Sequence, residues 1–222
     1  MILFTLGWLY EKEKEYAKSK EYYLKAIESG SDAALYNLGI LYNNLGVLHE
    51  KEQDYDKAKE YYLKSIVIGN IDASNSLSWF YFEQNKNIDK AIYLVRKDHL
   101  NQKAIHTTYT LAIVLLWGEE FDDSYQRFLE FLEYKGALEY LYDISLYLTF
   151  LIAKEQYHKA KEFLEMPEYQ LKERYKAIWY ALMELMQDEF PHEIKKMGGE
   201  LRESVDEVLV EIERLRMKYA ID

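Results

Sequence analysis

The chain has 222 residues, 49% of them apolar, with two prolines and nine glycines. That is enough apolar material for a core and too few turn formers for an all-β fold. The formal net charge of −11 repels phosphate backbones and argues against a nucleic-acid partner. The absence of cysteine excludes disulfides, cysteine nucleophiles and thiolate metal sites, and fits a reducing, cytoplasmic setting.

In chain order, Met1 to Trp8 is apolar but has no basic leader, and charges begin at Glu11. That pattern does not fit a signal peptide. It predicts a helix whose Ile2, Leu3 and Phe4 are covered by upstream repeats, by another chain, or not at all. Next come two matching segments, Tyr16-Ala17-Lys18-Ser19-Lys20-Glu21-Tyr22-Tyr23-Leu24-Lys25-Ala26-Ile27 and Tyr55-Asp56-Lys57-Ala58-Lys59-Glu60-Tyr61-Tyr62-Leu63-Lys64-Ser65-Ile66, offset by 39 residues. They close at Gly30 and Gly69. Weaker copies begin at Ile88, Phe121 and Tyr157, and the small residues Ser19, Ala58, Ala91, Ser124 and Ala160 recur every 33 to 39 residues. Ahead of each copy lies a second marker, Leu6-Gly7-Trp8-Leu9-Tyr10, Leu38-Gly39-Ile40-Leu41-Tyr42 and Leu77-Ser78-Trp79-Phe80-Tyr81, with Leu111-Ala112-Ile113-Val114-Leu115 a degenerate fourth and Tyr147-Leu148 the start of a fifth.

Two antiparallel helices approach closely only where a side chain is nearly absent. Gly7, Gly39, Ser78 and Ala112 supply that contact on each first helix, and the five small residues of the later segments supply it on each second helix. A single helix pair leaves an apolar face open, so successive pairs must stack. The expected architecture is all-α: about five antiparallel helix pairs over 1–30, 31–69, 70–101, 102–135 and 136–165, followed by a helical capping region over 166–222. No stretch is long and uncharged enough to read as a membrane span; Ala137 to Ala153 is interrupted by Glu139 and Asp143.

In the last region Leu171 to Phe190 is apolar nearly all round and predicts a buried helix, ended by Pro191 and a Gly198-Gly199 turn. A final helix from about Glu200 places Leu201, Val205, Val208, Ile212, Leu215 and Tyr219 at heptad spacing. It reads either as a cap on its own repeats or as a homodimerising coiled coil.

The repeated pattern resembles tetratricopeptide repeats, over roughly residues 1–165. The first two copies are similar to the Sel-like subclass, with Lys-Ala-x-x-Tyr-Tyr-x-Lys-Ala-type segments followed by Gly30 and Ala34, or Gly69 and Ala73. Gly46-Val47 resembles the Sel-like inter-helix loop. The resemblance implies an α-solenoid with a right-handed superhelix, whose first helices line a concave groove that binds a peptide or protein segment. Carried over by helix phase, the groove residues are Trp8, Tyr36, Ile40, Asn43, Asn75, Trp79, His106 and Tyr109, with Phe4, Phe82, Ile113, Leu116, Tyr142, Ser145 and Thr149 as further candidates. Aromatic anchors beside amides suit peptide recognition. A clamp for a terminal carboxylate is disfavoured, because Phe4 and Trp8 stand where basic residues would converge.

No familiar catalytic or metal-binding motif stands in the sequence. None of His49, His99, His106, His158 and His192 pairs with another at zinc spacing, and there is no phosphate loop or nucleophile elbow. Glu119-Glu120 and Asp122-Asp123 read as a solvated turn with acids at a helix N-terminus. The expectation is a non-enzymatic scaffold with no cofactor and no metal, with self-assembly as the alternative.

Overall fold

Short polar side chains set several helix starts in the computed structural model, which describes residues 1–84, 86–101, 104–134, 141–169, 171–186 and 199–219. Ser31 Oγ accepts from the Ala34 N–H at 3.2 Å, Asp54 Oδ1 from the Lys57 N–H at 3.3 Å, and Asn70 Oδ1 from the Asp72 N–H at 3.0 Å. Each satisfies a donor that the first turn of a helix leaves open. The resulting helices are α1 (Ile2–Lys12), α2 (Tyr16–Glu28), α3 (Asp32–Lys51), α4 (Tyr55–Ile68), α5 (Ile71–Glu83) and α6 (Ile88–Asn101). They are followed by α7 (Ile105–Trp117), α8 (Phe121–Glu133), α9 (Leu141–Ala153), α10 (Tyr157–Glu165), a 3-10 turn at Pro167–Tyr169, α11 (Glu173–Met186) and α12 (Gly199–Tyr219). The fold is all-α, and no strand occurs among the described residues.

Two kinds of turn alternate from α1 to α5. Gly30 and Gly69 join one pair to the next at φ of +83° and +91°, a left-handed conformation that suits glycine. The turns inside the pairs use the same region without glycine: Lys14, Gln53, Glu119 and Glu155 have φ between 59° and 64°. Each of these turns is tied by two backbone hydrogen bonds. At Gln53 they run from its own N–H to Glu50 O (3.0 Å) and from the Asp54 N–H to His49 O (2.9 Å).

The chain divides into two compact units, Met1–Lys103 and Ala104–Asp222. In the first, α1 packs on α2, α3 on α4 and α5 on α6, and the pairs stack through α2 against α3 and α4 against α5. Tyr23, Leu38, Leu41, Tyr62, Leu77 and Phe82 form its interior. In the second, α7 packs on α8, α9 on α10, and α11 and α12 both rest against α9. Helix α7 is buried nearly all round, with Ile113, Val114, Leu115 and Leu116 inaccessible to solvent. Removing each such side chain from water contributes about 1.5–3 kcal/mol.

Two expectations are corrected here, on Gly46-Val47 and on three of the groove candidates. Gly46-Val47 is not a loop, because α3 runs unbroken for 20 residues through both. Phe82, Ile113 and Leu116 are fully buried and belong to the core, not to a groove. The heptad positions Val205, Ile212 and Leu215 of α12 are buried within their own unit, where α12 packs on α9 and α11. Pro191, Gly198 and His192 lie outside the described residues.

Candidate interaction surface

Close contact within a pair starts from a glycine. A Cβ on Gly7 would fall 2.6 Å from Tyr23 Cδ1, and one on Gly46 would fall 2.6 Å from Tyr62 Cε1. Each tyrosine ring lies over the bare backbone and reaches past it. The Tyr23 hydroxyl donates to Glu11 Oε2 at 2.8 Å and the Tyr62 hydroxyl to Glu50 Oε2 at 2.6 Å. Burial pushes the Glu50 carboxyl upward, and the Tyr62 hydrogen bond partly opposes that rise. Both tyrosine hydroxyls are raised, first by burial and then by the carboxylate they donate to.

The 39-residue offset therefore pairs Gly7 with Gly46. Gly39 sits two turns earlier on α3 and serves a different contact: Ser65 Oγ donates to its carbonyl at 2.6 Å, and a Cβ there would meet Asn70 Cβ at 3.1 Å. Gly46, Ser65 and the two Tyr–Glu pairs were missed in the sequence, although adding 39 to Gly7 leads directly to Gly46. The remaining small residues, Ser19, Ala58, Ser78, Ala91, Ala112, Ser124 and Ala160, are fully buried. Two of them bond across the pair, Ser78 Oγ to Ala91 O at 2.8 Å and Ser124 Oγ to Ala112 O at 2.7 Å. Ser124 Oγ also lies 2.8 Å from the Tyr147 hydroxyl.

With Gly46 as the reference, Asn43 on α3 and Asn75 on α5 occupy equivalent positions, each three residues before its close-contact residue (Gly46 or Ser78). Both are half-buried, and each has a buried side-chain oxygen without a hydrogen-bond partner. Trp79 stands one residue beyond Ser78, half-buried against Phe82 with ring centroids 5.1 Å apart. Trp8 holds the same place on α1, exposed and covered on one side by the Lys12 ammonium. Tyr36 and Ile40 lie on the part of α3 that precedes Asn43. Tyr36 is 68% exposed and lines a hollow of about 160 Å³ with Asp32, Gly39 and Asn70.

His106 and Tyr109 belong to the second unit. His106 is exposed. Tyr109 is half-buried and engaged within the unit, donating to Asp143 O at 3.3 Å and packing on Phe131 at 4.9 Å. The acidic turn is laced with ion pairs: Lys159 Nζ meets Asp122 Oδ1 at 2.5 Å, Arg127 Nε meets Asp123 Oδ1 at 3.3 Å, and Lys154 Nζ meets Glu119 Oε1 at 3.5 Å. Its Lys159 is itself 7% exposed and lies over the Tyr125 ring. No helix among the described residues is long and apolar enough to cross a membrane.

These repeated pairs, with their recurring turns and small contact residues, define an all-helical repeat fold. The tetratricopeptide repeat model matches residues 2–29 and 34–67, which correspond to the α1–α2 pair and to α3 with most of α4. A solved chain from work titled as the functional characterization of pilF of Pseudomonas aeruginosa has the same fold. It is 15% identical, with a TM-score of 0.52, and the match covers 99% of this chain and 94% of that one. Residues 2–29 and 34–67 thus match tetratricopeptide repeats, and the chain shares the all-helical fold of that solved protein.

Proposed function

We propose that the protein is a non-enzymatic scaffold that binds an extended peptide or protein segment along the first helices of the Met1–Lys103 unit. The observation carrying this reading is the pair Asn43 and Asn75. Two carboxamide oxygens at equivalent positions of adjacent repeats are buried and unpaired. A buried acceptor without a donor costs about 1–3 kcal/mol, and a rotation of each half-buried carboxamide would turn its oxygen to the backbone N–H groups of an extended peptide. Tyr36, Trp79 and Trp8 supply aromatic area around them. Residues 166–222 act in this reading as a cap on the repeats spanning 1–165.

The test compares wild type with an Asn43→Ala, Asn75→Ala variant for capture of partners from native lysate. Removing two unsatisfied acceptors leaves stability unchanged or slightly raised, while a captured partner is lost. A Tyr36→Ala, Trp79→Ala variant loses the same partner. Capture indifferent to both variants would sink the reading. Recovery of the protein alone, with a mass that rises with concentration, would favour self-assembly.

A further inference from the structure

A cavity of about 460 Å³ opens between α9, α11 and α12 in the second unit. Trp179 forms a buried part of its wall at 2% exposure, and Tyr142, 78% exposed, stands at its rim. Tyr175 meets Trp179 edge-on, with ring centroids 6.0 Å apart and planes at 62°. The Tyr175 hydroxyl is held 3.0 Å from Ser145 Oγ. Facing these rings, α12 contributes Glu207 and, one turn on, Glu211. Arg214 binds Glu211 through two hydrogen bonds, 2.6 and 2.7 Å long, which offsets that charge. Glu207 is exposed and brings its own. The Trp179 indole is buried beside Tyr175, whose hydroxyl its N–H helps to hold.

Charge is divided unevenly along the chain. Residues 1–103 hold 14 Lys and Arg against 15 Asp and Glu, whereas residues 104–222 hold 14 against 24. Nearly all of the net negative charge therefore belongs to the unit that contains this cavity. Such a field attracts cations and repels anions. Aromatic faces beside a carboxylate bind a cation by ring quadrupole and charge together. A planar guanidinium suits such a site better than a compact ammonium does, because it can stack on a ring face while its N–H groups bond a carboxylate in its own plane.

We propose that this cavity receives an arginine side chain of a partner protein. The guanidinium lies against Tyr142 and Tyr175 and pairs with Glu207. The proposal rests on the scaffold reading and adds a second contact point, of defined chemistry, in the other unit.

The experiment titrates the full-length protein with acetyl-Gly-Arg-Gly-amide and with its neutral citrulline counterpart, following the Trp179 indole N–H resonance. The arginine peptide is expected to shift that resonance saturably, with the citrulline peptide at least about tenfold weaker. Glu207→Gln, at an exposed site, lowers arginine-peptide affinity about three- to fivefold and leaves helicity unchanged; Tyr142→Ala weakens it as well. Equal binding of the two peptides, no saturable shift, or indifference to both variants would overturn the proposal. Failure here leaves capture through Asn43 and Asn75 standing, because those residues lie in the first unit. Loss of that capture with this titration intact would instead remove the scaffold reading from the first unit alone.

Discussion

At the scale of single residues, Gly46 and Tyr62 form one object. Helix propensity favours Gly→Ala in a helix interior by about 1 kcal/mol, yet a Cβ at Gly46 would lie 2.6 Å from a buried ring. Overpacking of this kind costs about 1–3 kcal/mol, so Gly46→Ala is expected to destabilise, and Gly7→Ala likewise. Denaturant unfolding reads the sign directly; a gain in stability would show that the ring moves aside freely. Glu50 carries a pH prediction. Its carboxyl is raised in the folded state, so the folded chain holds that proton more tightly than the unfolded chain does. The stability this group contributes is present at acid pH and is lost as pH rises through its raised value. Measured against Glu50→Gln, which keeps an acceptor for Tyr62 without the charge, wild type gains stability as pH falls. In the second unit Ser124→Ala would strand the buried Tyr147 hydroxyl, a loss of about 1–3 kcal/mol in unfolding free energy.

At the scale of elements, the turns are the weak points. Gln53 holds a left-handed backbone that costs an L-residue about 1–2 kcal/mol. Gln53→Gly is therefore expected to raise the thermal midpoint, and Gly69→Ala to lower it by the same mechanism in reverse. Both can be read in one calorimetric series. Helix α3 shows where local pattern and structure part. Leu38-Gly39 and Leu45-Gly46 repeat after seven residues, two helical turns, so both glycines fall on nearly the same face of one helix. Either one satisfies a search for a small residue after leucine, and the longer spacing to Tyr55 suggests a loop. Only the partner helix separates them, because Tyr62 lies over Gly46 while the end of α4 lies over Gly39. The last helix shows the reverse case. Its heptad seam was visible in sequence and fitted two different partners, and α9 turned out to be among the surfaces it covers.

At the scale of the whole molecule, the charge division predicts different salt responses in the two units. Raising ionic strength from about 0.1 to 1 M shortens the screening length from about 10 to 3 Å. Arginine-peptide binding in the second unit should weaken several-fold over that range. Capture that depends on Asn43 and Asn75, which uses uncharged hydrogen bonds, should change little.

The sequence by itself determined the all-α class and the repeated helices, because those follow from local periodicity and from a repeat copied along the chain. It also marked Asn43, Asn75 and Trp79 as candidates. Tertiary structure decided what periodicity cannot encode. It decided which of two glycines a ring covers, that Ile113 and Leu116 are enclosed on every side, and that Tyr109 is engaged by Asp143 and Phe131. It also brought Glu207, Tyr142 and Trp179, which lie on three different helices, around one cavity. Each of these depends on a partner distant in sequence, and a side chain's role is fixed by what packs against it.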